Sequence, residues 1–199
     1  MGTLLVHALG NQPYRRSHIN YIFIIFGASC AVDKEYEDHC WSTIMYNRKM
    51  VPKKFVVPKG FKTDEFVLEP LTVNNLVKDY DAVMSSQKHL QGLMGDDDDW
   101  PLGLTLEENL VDLGWHQREF TLRHSFAYSV MSKNKQLCLG CCYIYPSGKP
   151  EYDAQVFYWI RQEYLFSGLE KRLGLAFKNW LEKDWPFSRI DFPDHSQFY

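Results

Sequence analysis

The stretch Asp153–Asp184 constrains the fold of this chain more than any other segment. Ala154, Val156, Tyr158 and Ile160 alternate with Gln155, Phe157 and Trp159 over Asp153–Arg161, and both sets are largely apolar. Such a pattern reads as a strand buried on both faces near the middle of a sheet. A short loop, Gln162–Phe166, leads into a helix expected over Ser167–Asp184, where Leu169, Leu173, Ala176, Phe177, Trp180 and Leu181 recur at helical spacing. Ser167 and Glu170 have capping-box spacing, and Trp185-Pro186 stops the run. A strand, a loop and a helix start in that order leave backbone N–H groups facing outward at the positive end of a helix dipole, with Gly168 just inside, which suits an anion.

The remaining elements fall around this unit. Phe66–Leu71 reads as a strand ending at a turn, and Thr72 opens a helix with Val73, Leu76, Tyr80, Val83, Met84 and Leu90 on one face. After the aspartate run Asp96–Asp99, which reads as a solvated loop, Thr105 and Glu108 form a second capping-box pair. The helix they open has two stripes: Leu106, Leu110, Leu113, Gln117 and Phe120, and a polar ridge of Asn109, Asp112, His116, Glu119 and Arg123. The ridge reads either as a solvated face braced by Asp112–His116 and Glu119–Arg123 pairs or as the border of a cleft where His116 or Glu119 accepts a proton. Phe126–Met131 and Leu137–Tyr145 form an antiparallel hairpin through Ser132–Lys135, and Arg189–Phe192 is a last short strand.

Charge and cysteine usage narrow the function. A net charge of −3 without a basic stripe argues against nucleic acid. Five cysteines, three of them at Cys138, Cys141 and Cys142 on a strand that sends neighbours to opposite faces, read as buried apolar thiols, and no metal site is expected. Reduced thiols fit the cytoplasm. Residues 1–49 read as an extension of uncertain status ahead of a domain spanning 50–199. Its apolar run Ile19–Val32 behind Arg15-Arg16 is too short for a comfortable membrane span, with an export signal as the alternative.

The order strand, helix, helix, hairpin, central strand, helix, strand resembles the GNAT N-acyltransferases. Phe66–Pro70, Trp100-Pro101, Leu104–Leu110, His116 with Glu119-Phe120, Leu139–Pro146 and Trp185–Phe187 are similar to a bacterial subgroup of GNAT-like proteins, over about Val51 to Pro193. The resemblance implies an α/β (α+β) fold, a mixed and mostly antiparallel sheet flanked by helices, with a shortened C-terminus after Phe192. It also implies acetyl-CoA as co-substrate and transfer of its acetyl group to a primary amine of a small molecule or protein. The pantetheine arm would pair with backbone groups around Tyr158, Trp159 and Ile160, and the diphosphate would rest on Arg161, Ser167 and Gly168.

The loop departs from the family pattern of Arg or Gln, two residues, Gly, any residue, and Gly or Ala. Arg161 is in place, but Tyr164 and Phe166 stand where small residues belong, and Glu163 would repel a phosphate. Acyl transfer needs a proton acceptor, for which Glu119 or His116 is the candidate and Asp153 a weaker alternative. It also needs neighbouring donors, for which Tyr143 and Tyr145 are candidates. The other reading is a GNAT-like ligand-binding or interaction module without chemistry, able to pair as a homodimer through an exposed sheet edge.

Overall fold

The computed structural model describes residues 49–93 and 100–193. The expected extension up to residue 48, with Ile19–Val32, Cys30 and the His39-Cys40 pair, lies outside the described residues, as do the run Asp96–Asp99 and the last residues from 194.

Five strands form one sheet in the order β1 (Phe66–Pro70), β2 (Phe126–Ser132), β3 (Cys138–Tyr145), β4 (Ala154–Ile160) and β5 (Ile190–Asp191). The first four are antiparallel neighbours, and β5 lies parallel to β4. All seven residues of β4 are buried, as the doubly apolar pattern requires.

Alternation sends each strand's side chains to two different cores. On one face Phe126, Tyr128, Cys142, Ile144, Val156, Tyr158 and Ile160 pack against α4 (Leu169–Asp184) through Leu173, Phe177, Trp180 and Leu181. Burial of a side chain such as Phe177, at 0 % exposure, stabilises by about 1.5–3 kcal/mol. On the other face Ala127, Cys141, Tyr143, Phe157 and Trp159 meet α1 (Leu76–Met84), the single turn α2 (Gln87–Leu90) and α3 (Leu106–Leu122) through Ala82, Val83, Leu90 and Leu113.

The Thr105 capping box forms: Thr105 Oγ1 accepts from the Glu108 N–H at 3.2 Å, and Glu108 Oε2 accepts from the Thr105 N–H at 2.8 Å. The expected helix from Thr72 is instead three pieces, a 3-10 turn at Val73–Asn75, then α1 and α2, with Ser85-Ser86 at the break. Ser85 Oγ donates to Ala82 O at 3.1 Å and Ser86 Oγ accepts from the Gln162 N–H at 3.1 Å, so side-chain bonds take over where the helix stops.

Both stripes of α3 are divided between surface and core. Leu106 and Leu110 of the apolar stripe are exposed, whereas Asn109 and Glu119 of the polar ridge are buried beside Leu113. Arg123 does not brace Glu119; its guanidinium donates to the carbonyls of Pro52 at 2.7 Å and Phe55 at 2.9 Å. Buried polar partners on α1 and in the segment after α3 decided this orientation over apolar periodicity.

Candidate functional site

β4 is the seat of the site because its two edges differ. Six residue pairs, from Gly140↔Ile160 to Tyr145↔Gln155, join it to β3, but only Ala154↔Ile190 and Gln155↔Asp191 join it to β5. From Val156 onward that edge has no strand partner among the described residues, so β4 and β5 form a fork. The fork is closed to water: the residues of β4 are between 0 % and 7 % exposed.

Asp153 holds the base of the fork. Its Oδ2 accepts from the Ser188 N–H at 2.7 Å and the Arg189 N–H at 2.9 Å, while its own N–H donates to Arg189 O at 2.8 Å. The two backbone donors hold its carboxyl below the usual aspartate range. A carboxyl whose folded pKa is depressed stabilises the fold above its unfolded pKa, about 4, and loses that contribution as pH falls through the lowered value. Asp153→Ala should therefore speed amide exchange at Ile190 and Asp191 at neutral pH, and the difference from wild type should vanish in acid. Equal exchange at neutral pH would remove Asp153 from this role.

The loop after β4 is a 3-10 helix, Gln162–Ser167, and not an open cradle. The Ser167–Glu170 capping box does not form. Ser167 Oγ is turned back, donating to Tyr164 O at 2.6 Å and accepting from the Leu169 N–H at 3.2 Å, and Gly168, at φ 76°, is the N-cap. Tyr164 and Leu165 pack against the α4-side core, whereas Phe166 is fully exposed. Sequence reasoning missed Arg172, one turn into α4, whose Nη1 donates to Ser167 O at 3.2 Å while Nε and Nη2 grip Glu65 at 2.7 and 2.9 Å.

Arg161 is held elsewhere. Its Nε donates to Cys138 O at 2.6 Å, Nη1 to Ser85 Oγ at 2.9 Å, and Nη2 pairs with Asp81. The side chain ties the end of β4 to β3 and α1, and it is 5 % exposed. Of the neighbouring candidates, Tyr158 and Ile160 point to the α4 side, with Tyr158 edge-on to Phe177 at 6.3 Å, and Trp159 points to the opposite face.

On that opposite face several sequence candidates meet. The His116 ring lies 5.4 Å from Tyr143, which stacks on Tyr145 at 5.8 Å, and Tyr143 Oη accepts from Trp159 Nε1 at 3.3 Å. Burial pushes both tyrosine hydroxyls well above their ordinary pKa, so they stay protonated at neutral pH. Glu119, one turn beyond His116, is apart from this group in its bonding: one carboxylate oxygen pairs with Arg118 and the other with His124 Nδ1 at 3.1 Å.

The same face carries a second cluster that sequence reasoning did not assemble. Asp79 Oδ2 accepts from Asn109 Nδ2 at 2.9 Å, and the Cys141 thiol donates to Asp79 Oδ1 at 3.4 Å. Desolvation raises the pKa of Asp79 and pushes that of Cys141 further up. The signal available in the sequence was a glycine, Gly140, between two cysteines on a strand, which marks a bulge.

No protein-family model matches this chain, and no curated protein sequence matches it. Solved structures do. The ribosomal-protein-S5-alanine acetyltransferase from Vibrio fischeri superposes with a TM-score of 0.52 at 17% identity, over 62% of this chain and 67% of that one. The ribosomal L7/L12 alpha-N-protein acetyltransferase RimL gives 0.50 at 15%, over 68% and 72%. The microcin C7 self immunity acetyltransferase MccE, solved in complex with acetyl-CoA and AMP, gives 0.50 at 11%, over 65% and 71%. With its forked sheet and the helix that follows β4, the chain has the fold of the GNAT acetyltransferases. No helix among the described residues is long and apolar enough to cross a membrane.

Proposed function

We propose that the protein is an N-acyltransferase that moves an acetyl group from acetyl-CoA to a primary amine. The observation that carries this reading is the fork. An extended pantetheine arm supplies amide groups that can pair along the edge of β4 beyond its two-pair ladder with β5, as an added strand would. The start of α4 then lies on the diphosphate side, with Arg172 nearby. The neighbours named for ribosomal proteins support a protein amine as acceptor, and the one solved with acetyl-CoA supports the donor.

The chemistry follows from the groups on the opposite face. The neutral amine attacks the thioester carbonyl, a C–N bond forms and the C–S bond breaks. Backbone N–H groups of β4 stabilise the developing oxyanion, and His116 takes the amine proton directly or through one water. The proton that His116 takes from the amine then passes to the departing thiolate, with the protonated Tyr143 and Tyr145 hydroxyls as neighbouring polar groups. Glu119, bound by Arg118 and His124, serves the architecture.

The loop favours a second reading. A 3-10 turn carrying Glu163, Tyr164 and Phe166 offers no glycine cradle to a diphosphate, which fits a binding or interaction module on this fold. Calorimetric titration of acetyl-CoA, CoA and desulfo-CoA into the full chain separates the two. Dissociation constants near micromolar, about 8 kcal/mol, followed by amine-dependent thiol release, are expected. Absence of binding up to about millimolar, or about 4 kcal/mol, in protein with an intact circular dichroism spectrum would overturn the enzyme reading.

A further inference from the structure

We propose that Asp79, Cys138 and Cys141 form a binding site for one borderline-soft divalent metal ion, of which zinc is the first candidate. The site is independent of the acyl-transfer reading. One carboxylate oxygen and two sulfurs from these residues lie within 4.8 Å of one another, and all three side chains are buried.

The backbone is shaped to bring the two sulfurs together. Residues three apart on a regular strand point to opposite faces. Here the register of β2 against β3 shifts between Val130 and Met131, so Val130 pairs with Gly140 and Met131 with Cys138. That bulge leaves Cys138 and Cys141 both in the core beneath α1, whereas Leu139 and Cys142 face α4. Only glycine fits at position 140, because a Cβ there would lie 2.0 Å from Trp159 O.

The third donor arrives from α1 already oriented. Asn109 Nδ2 holds Asp79 Oδ2 at 2.9 Å, which turns Oδ1 to the Cys141 thiol at 3.4 Å. In a tetrahedral zinc site, with Zn–S about 2.3 Å and Zn–O about 2.0 Å, a sulfur and an oxygen ligand stand about 3.5 Å apart. A carboxylate ligand fixed by a hydrogen bond to its second oxygen is the usual outer support of a metal site.

Ligand chemistry selects the ion. Two thiolates disfavour magnesium and calcium, and the carboxylate disfavours copper(I) relative to zinc. Two thiolates and one carboxylate around a divalent ion leave one negative charge. The buried Arg161 guanidinium, itself paired with Asp81, donates to the backbone carbonyl of Cys138 at 2.6 Å. A metal here would cross-link α1 to β3 directly behind the His116–Tyr143 pair.

The test is metal analysis of the full chain, purified without a metal-affinity step and then titrated with zinc and with cobalt(II). One equivalent of zinc and a thiolate-to-cobalt charge-transfer band are expected. Cys138→Ser with Cys141→Ser should abolish both, Asn109→Ala should weaken binding roughly tenfold or more, and Cys142→Ala, on the opposite face, should retain both. No stoichiometric metal at micromolar zinc, or binding that survives the double substitution, overturns the site. Because the double variant can lose its fold, zinc-edge X-ray absorption on the wild-type protein decides independently: two sulfur ligands are expected, and a shell without sulfur overturns the proposal.

Discussion

Gly140→Ala is expected to destabilise the protein by about 3–5 kcal/mol, the sum of backbone strain and overpacking that no side chain can relieve. Gly140 sits at φ 156°, and the added Cβ would come within 2.0 Å of Trp159 O and 2.8 Å of the Ile160 Cα. Both obstacles are backbone of β4, the most deeply buried strand, so relief requires prising β3 from β4. Urea unfolding monitored by circular dichroism should show a large fall in midpoint. Gly114→Ala is the internal control: it lies within α3, where the nearest atom to a new Cβ is Val73 Cγ1 at 4.0 Å. That change should stabilise by roughly 0.5–1 kcal/mol through helix propensity. A loss under about 1 kcal/mol for Gly140→Ala would show that β3 and β4 can separate at this point at little cost.

The second large effect is on rate. With an acceptor amine in hand, His116→Ala should lower kcat/KM by about 10²–10⁴ while leaving acetyl-CoA affinity unchanged. Glu119→Gln should do the reverse. It strips the carboxylate from Arg118 and from His124, whose ring is largely buried, and should cost about 2–3 kcal/mol of stability with little change in rate per folded molecule. A rate collapse in Glu119→Gln at intact stability would exchange the two roles.

Much of the architecture was legible because it rests on local rules. The doubly apolar β4, the hairpin, the Thr105 capping box and the helix stop at Trp185-Pro186 each follow from neighbours a few residues away. What escaped the sequence depended on partners far along the chain. The burial of Asn109 is set by Asp79, the fate of Arg161 by Asp81 and Ser85, and the orientation of Glu119 by His124. The α3 ridge could therefore be read as a solvated face although Asn109 and Glu119 are buried. The loop after β4 was legible as a departure from the glycine pattern, but its closing into a 3-10 turn required Ser167 to bond backward to Tyr164 and not forward as a cap. The cysteine pair was hidden by a one-residue slip in register, since alternation read straight through Gly140 assigns Cys138 and Cys141 to opposite faces.

The closed fork sets a clock on whatever enters it. β5 is held by two residue pairs, the Asp153 clamp and the Lys149–Asp191 ion pair, so it is the least costly part of the sheet to displace. A ligand that must lie along β4 beyond those two pairs, on a strand already shielded from water, can be admitted only while the packing over that edge is briefly open. Association would then be governed by how often that packing opens and not by diffusion, and its observed rate would level off at high ligand concentration. By the same token a bound molecule would be slow to leave, its residence fixed by the same opening.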